Sequence, residues 1–179
     1  TAKLEVVGDV KIPATNNYAY SAPKTKTLAI GHAAFQLAAT NTAVFASRST
    51  TGVDNNPYIL RTQGGTGGTP PFFDARVYLP DGATVLSITA YLFDVDGTYN
   101  AEVRLVSQAL TSSSPVTMAT VTSNGSTPSG VRTFITSTIS TPVIDNSSNA
   151  YFIVFETTEN NGNLGLYNIA ICYSISNVD

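Results

Sequence analysis

The sequence predicts an all-β chain, a jelly-roll-like antiparallel β-sandwich preceded by a short β-stem segment. Three observations predict it. Apolar and polar residues alternate with period two through most of the 179 residues, the spacing of a half-buried strand. Clusters of Gly, Pro, Asn and Asp break these runs at short intervals, as turns do in a sandwich. Charged side chains make up only 12% against 42% hydrophobic, and Ser and Thr fill 42 positions, so the solvent faces must be hydroxyl-rich and nearly neutral.

The length suits one domain with a short appendage. The only lysines are Lys3, Lys11, Lys24 and Lys26, and every later basic residue is an arginine. This marks the first 26 residues as a segment separate from 27–179. Within 2–12, Leu4, Val6, Val10 and Ile12 alternate around a Gly8-Asp9 turn. A hairpin that short cannot bury its apolar face alone and needs copies from other chains.

The alanine-rich stretch 27–45 lacks an apolar stripe at i, i+3, i+4 and reads as two strands broken near Asn41. Segment 63–69, Gln-Gly-Gly-Thr-Gly-Gly-Thr, reads as a surface loop. Further strands are expected at 72–79, 84–94, 100–107, 116–122, 131–138, 151–156 and 163–175, with turn signals at Asp81-Gly82, Asp96-Gly97, Asn124-Gly125, Asp145-Asn146 and Asn161-Gly162. In 84–94 the apolar alternates are Leu86, Ile88, Ala90 and Leu92. Six to nine strands are expected after the stem. In 151–155 and 164–173 both alternating faces are apolar, whereas a sandwich strand normally shows one face to water. The second face, Tyr151, Ile153 and Phe155 or Phe152 and Val154, is therefore expected to be covered by another subunit, the alternative being a loop of the same chain.

The segment Lys3-Leu4-Glu5-Val6-Val7-Gly8-Asp9-Val10-Lys11-Ile12 resembles the stem repeat that precedes head domains in phage tail fibres and long bacterial surface proteins. The remainder of the chain from Tyr18 onward, including Leu79-Pro80-Asp81-Gly82 and Asp96-Gly97-Thr98-Tyr99-Asn100, is similar to head domains attached after such stems. The resemblance implies a parallel homotrimer, trimerised through Leu4, Val6, Val10 and Ile12 of a stem and linker over 1–26 that carries a head over 27–179; the doubly apolar strand adds Tyr151, Ile153 and Phe155 as expected subunit contacts. It implies a place on a cell surface or phage-like particle, with any export signal outside this chain. No self-cleaving chaperone domain of the kind that ends many phage fibres is recognisable after residue 150.

A net charge of −3 leaves no electrostatic footprint for nucleic acid, and no apolar run reaches membrane-spanning length. The single histidine, His32, reads as structural at the start of a strand, and no Gly-x-Ser-x-Gly elbow surrounds any serine. The single cysteine, Cys172, reads as a small core residue, and one His and one Cys make no zinc ligand set. No cofactor and no metal are expected. Asp94 and Asp96 are the nearest carboxylate pair, but Asp96-Gly97 is also a turn signal and lacks the later oxygen ligands of a calcium loop. Sugar recognition needs aromatic faces beside carboxylate and amide groups. Two segments have that build: Asp54, Asn55, Asn56 and Tyr58, and Asp94, Asp96, Tyr99 and Asn100. The expected role is a non-enzymatic head that attaches to a receptor or glycan. A purely structural fibre module is the alternative, and a polysaccharide hydrolase a third reading.

Overall fold

The structure, a computed structural model, describes residues 19–37, 44–48, 60–64, 72–124, 131–157 and 161–177. The stem positions Leu4, Val6, Val10 and Ile12 and the loop positions Asp54, Asn55, Asn56 and Tyr58 lie outside the described residues. The strands are β1 (Ala19–Gly31), β2 (Gln36–Leu37), β3 (Val44–Arg48), β4 (Leu60–Gly64), β5 (Phe72–Val77), β6 (Thr84–Asp94), β7 (Ala101–Ala109), β8 (Val116–Thr122), β9 (Val131–Thr136), β10 (Asn149–Thr157) and β11 (Asn161–Asn177).

They form two antiparallel sheets. One has the order β3-β4-β11-β6-β9, with β1 also paired to β11, and the other has the order β2-β5-β10-β7-β8. From β4 onward every connection except β7 to β8 passes from one sheet to the other, which is the wrapping of a jelly-roll-like sandwich. The eleven described strands exceed the six to nine expected, because short β2, β3 and β4 are added to the longer runs.

The chain departs locally from the expected runs at three places. Within 27–45 a 3-10 turn, His32–Ala34, interrupts the chain after β1, while the break expected near Asn41 lies outside the described residues. The Phe35 N–H closes that turn by donating to the His32 carbonyl at 3.2 Å, and Phe35 drops into the core at 4% exposure. His32 therefore follows a strand instead of starting one. The position between 26 and 27 lies inside β1, whose residues 24–31 run in continuous register on β11. Between Ala19 and Lys24 the register shifts, where Pro23 has no N–H to give the ladder. Gln63 and Gly64, expected in a loop, end β4.

In β6 the alternation changes phase. Tyr173 pairs with Val85 and Cys172 with Ser87, leaving Leu86 bulged out of register. Val85 takes the inward position at 2% exposure, while Leu86 is 40% exposed. A single extra residue thus moves Leu86 off the core face to which plain alternation assigns it.

The core lies between the inner faces: Val85, Ile88, Ala90, Leu92, Ile169 and Ile171 from one sheet, and Phe73, Ala75, Val103, Leu105, Ile153 and Phe155 from the other. Phe73 and Phe155 stack with ring centroids 6.2 Å apart. Tyr151 ends this row, and its phenol oxygen accepts the Asp145 N–H at 2.8 Å, tying the loop before β10 to the core. Tyr151, Ile153 and Phe155 are 5%, 0% and 0% exposed. They are buried by the chain's own second sheet, which corrects their assignment to a subunit contact. Cys172 is half-buried and out of phase with the inward Ile171 and Tyr173, so it is not a core residue.

The turn before β6 shows why Asp-Gly was needed. The Ala83 N–H donates to the Pro80 carbonyl, and Gly82, third of the four residues, has φ +71°. A type II turn requires such a left-handed φ there, and glycine reaches it without a Cβ penalty.

Candidate functional site

Because side chains alternate along a strand, the inward burial of Tyr151, Ile153 and Phe155 sends Phe152, Val154 and Glu156 to the outer face of the five-stranded sheet. Register then assembles their neighbours. Phe152 lies opposite Arg76 on β5 and Val106 on β7. Val154 lies opposite Asp74 and Arg104, and Glu156 opposite Phe72 and Glu102. On β8 a register shift leaves Met118 bulged inward, so Thr117 and Thr120 line up beside Val106 and Arg104 on the outer face.

These rows enclose a groove of about 460 Å³. Phe72, Val106, Phe152, Val154 and Pro115 form its apolar surface, and Asp74, Arg104, Gln108, Thr117 and Glu156 bring polar groups to it. Phe72 stays 37% exposed at one end. At the other, the Arg76 guanidinium lies 5.8 Å from the centroid of the Phe152 ring. In the middle, Arg104 Nη2 donates to Glu156 Oε2 at 2.6 Å, and its Nε stands 3.3 Å from Glu102 Oε1. These three side chains are about one-third exposed, so solvent screening limits the stability they supply to about 1 kcal/mol or less. Their effect is to fix charges and donors in place.

The Asp94–Asn100 segment is built differently from expectation. Asp94 is fully buried; its Oδ1 accepts the Asp96 N–H at 3.0 Å, and its Oδ2 lies 3.9 Å from Arg132 Nη2. Arg132 in turn lies over the Phe134 ring, 5.2 Å from its centroid. A carboxylate with no solvent-facing surface anchors the end of β6 and is out of reach of a ligand. Asp96 Oδ1 accepts N–H groups from Thr98 at 2.8 Å and Tyr99 at 3.0 Å, the hydrogen bonding of an Asx turn. Tyr99 is 38% exposed and Asn100 half-buried. They immediately precede Ala101 and Glu102, so the turn leads into the Phe72–Glu156–Glu102 end of the groove.

In the loop before β10, the Ser147 hydroxyl donates to Asp145 Oδ1 at 2.6 Å. This bond, with a second from Ser148, holds the Asp145 carboxyl below its ordinary range. Among the described residues no three His, Cys, Asp or Glu side chains gather as a metal site. No helix among them is long and apolar enough to cross a membrane.

The groove residues carry only a faint sequence signal. The doubly apolar run 151–155 shows that Phe152 and Val154 need a purpose, and Glu102 and Arg104 at i and i+2 share one strand face. Nothing in the sequence aligns Arg104 with Glu156, 52 positions away.

No protein-family model matches the sequence, and no curated protein matches it. Among solved structures, the chain is similar to CsCBM6-3 from Clostridium stercorarium, determined in complex with cellobiose, with 15% identity over 85% of this chain and 94% of that one and a TM-score of 0.37. The architecture given above rests on the pairing of the strands themselves.

Proposed function

We propose that this chain is a non-catalytic recognition domain that binds glycan in the groove on the outer face of its five-stranded sheet. The observation that carries the reading is the groove's composition. The Phe72 and Phe152 rings line the groove, Phe72 being 37% exposed, and carboxylate, guanidinium and amide groups stand beside them to pair with hydroxyls. Tyr99 and Asn100 lie in the turn that immediately precedes β7, one strand of the groove.

The resemblance of the amino-terminal segment to a trimeric fibre stem supports placing this domain as a head on a homotrimer, at a cell surface or on a phage-like particle. Three identical sites on one rigid assembly raise avidity without a new contact type. Screening the whole chain on a glycan array, beside the Phe152→Ala variant, tests the reading. Binding by the native chain and its loss in Phe152→Ala are expected; binding that survives the variant unchanged would place the site elsewhere. Light scattering tests the assembly, with three times the 18.8 kDa chain mass expected.

A further inference from the structure

We infer that the groove selects uncharged oligosaccharides and rejects anionic ones such as uronate, sialylated or sulfated chains, an inference that rests on the recognition reading above. A site that captures an acidic sugar does so with a guanidinium or ammonium whose donors are directed at the ligand. Among the described residues lining this groove the one cation is Arg104. It is already engaged by two carboxylates, donating to Glu156 at 2.6 Å and standing 3.3 Å from Glu102. A third carboxylate, Asp74, lies in the same cross-strand row, separated from Arg104 by Val154. The other cation on this face among the described residues, Arg76, lies over the Phe152 ring and donates to the Tyr78 phenol oxygen at 3.4 Å, outside the groove lining.

Glu102, Glu156 and Asp74 therefore outnumber Arg104 and Arg76 on this face. An anionic ligand meets a floor of its own sign and has to displace Glu156 from Arg104 to find a partner. A neutral polyol has no such conflict: its hydroxyls donate to Asp74 and Glu156 and accept from the amide of Gln108, all of which line the groove. Neutral chains also leave the Arg104 ion pairs intact, so no charge loses its counter-ion on binding.

The test is an array in which each neutral glycan is printed beside its uronate, sialylated or sulfated counterpart, probed with the whole chain. Signals confined to the neutral members support the inference. Equal or stronger signals on acidic members overturn it while leaving the recognition reading standing, and the absence of signal on both overturns the recognition reading with it. The Glu102→Gln, Glu156→Gln double variant frees Arg104 and is expected to gain about tenfold or more for the acidic members; a folded variant with no gain contradicts the role given to the pair. Salt supplies a measurement that needs no variant. Affinity for the strongest neutral member should change by less than about twofold between low and high ionic strength, because the ligand brings no charge of its own, and a several-fold loss overturns the inference.

Discussion

Substitutions on the two faces of β10 and its neighbour β5 should separate stability from binding. Phe155 is 0% exposed and stacked on Phe73 at 6.2 Å, with the opposite sheet covering it. Phe155→Ala removes that contact and leaves a cavity that neighbouring strands cannot close, at a cost of about 3–5 kcal/mol. For a domain of this size each kcal/mol lowers Tm by about 2–4 °C, which gives a fall of about 6–20 °C. Phe72, on the outer face and 37% exposed, sacrifices far less burial, and Phe72→Ala should cost about 1 kcal/mol or less. Binding should show the reverse order, with the array signal lost in Phe72→Ala and retained in Phe155→Ala below its melting temperature. The assay is thermal unfolding followed by circular dichroism at two protein concentrations at least tenfold apart. The Tm difference between native chain and Phe155→Ala should be the same at both, because the contact lies within one chain. A loss below about 1 kcal/mol, or a difference that depends on concentration, would refute the placement of Phe155 in the intrachain core and restore it to a subunit contact.

Local geometry sets three more expectations. Asp94→Ala removes the acceptor for the Asp96 N–H and the counter-charge of Arg132, and should cost about 1–3 kcal/mol in urea unfolding; a neutral result would contradict an anchoring role. Leu86→Ser, at the bulge, should change stability by less than about 0.5 kcal/mol. Ile88→Ala two positions on, fully buried, should cost about 2–5 kcal/mol, and equal costs would mean that no phase change occurs in β6. Because Ser147 and Ser148 lower the Asp145 carboxyl in the folded chain, its contribution is present above the ordinary carboxylate range and is lost as pH falls through the lowered value. Ser147→Ala should therefore flatten the decline of Tm on acidification, and an unchanged pH profile would show that this hydroxyl does not set the titration of Asp145.

Much of the fold was legible because short-range pattern decides it. The ends of β6 and β8 fall where alternation and the Asp81-Gly82 turn place them, at Thr84–Asp94 and Val116–Thr122. Alternation fails where one residue is inserted: Leu86 keeps an apolar identity in the sequence while the bulge turns it to solvent. The doubly apolar run 151–155 marks β10 as a strand withdrawn from water on both faces, fully on one and half-buried on the other, yet which face meets the core depends on β5 and β7. Tyr151, Ile153 and Phe155 went to the core, and Phe152 and Val154 to the groove. Asp94 and Asp96 read as an accessible pair because their spacing is visible and their burial is not; the first is sealed under Arg132 and the second holds a turn. The groove was the least legible feature, since its charges come from three strands aligned only by register.

Whether the groove is the binding site is decided by a 1H–15N correlation spectrum of the chain titrated with the neutral oligosaccharide that gives the strongest array signal. Shifts should cluster at Phe72, Asp74, Arg104, Phe152 and Glu156 and run into the Tyr99–Asn100 turn. Shifts confined to the outer face of the six-stranded sheet, around Leu86, Tyr91 and Ile135, would move recognition to the other sheet and leave the groove without a role.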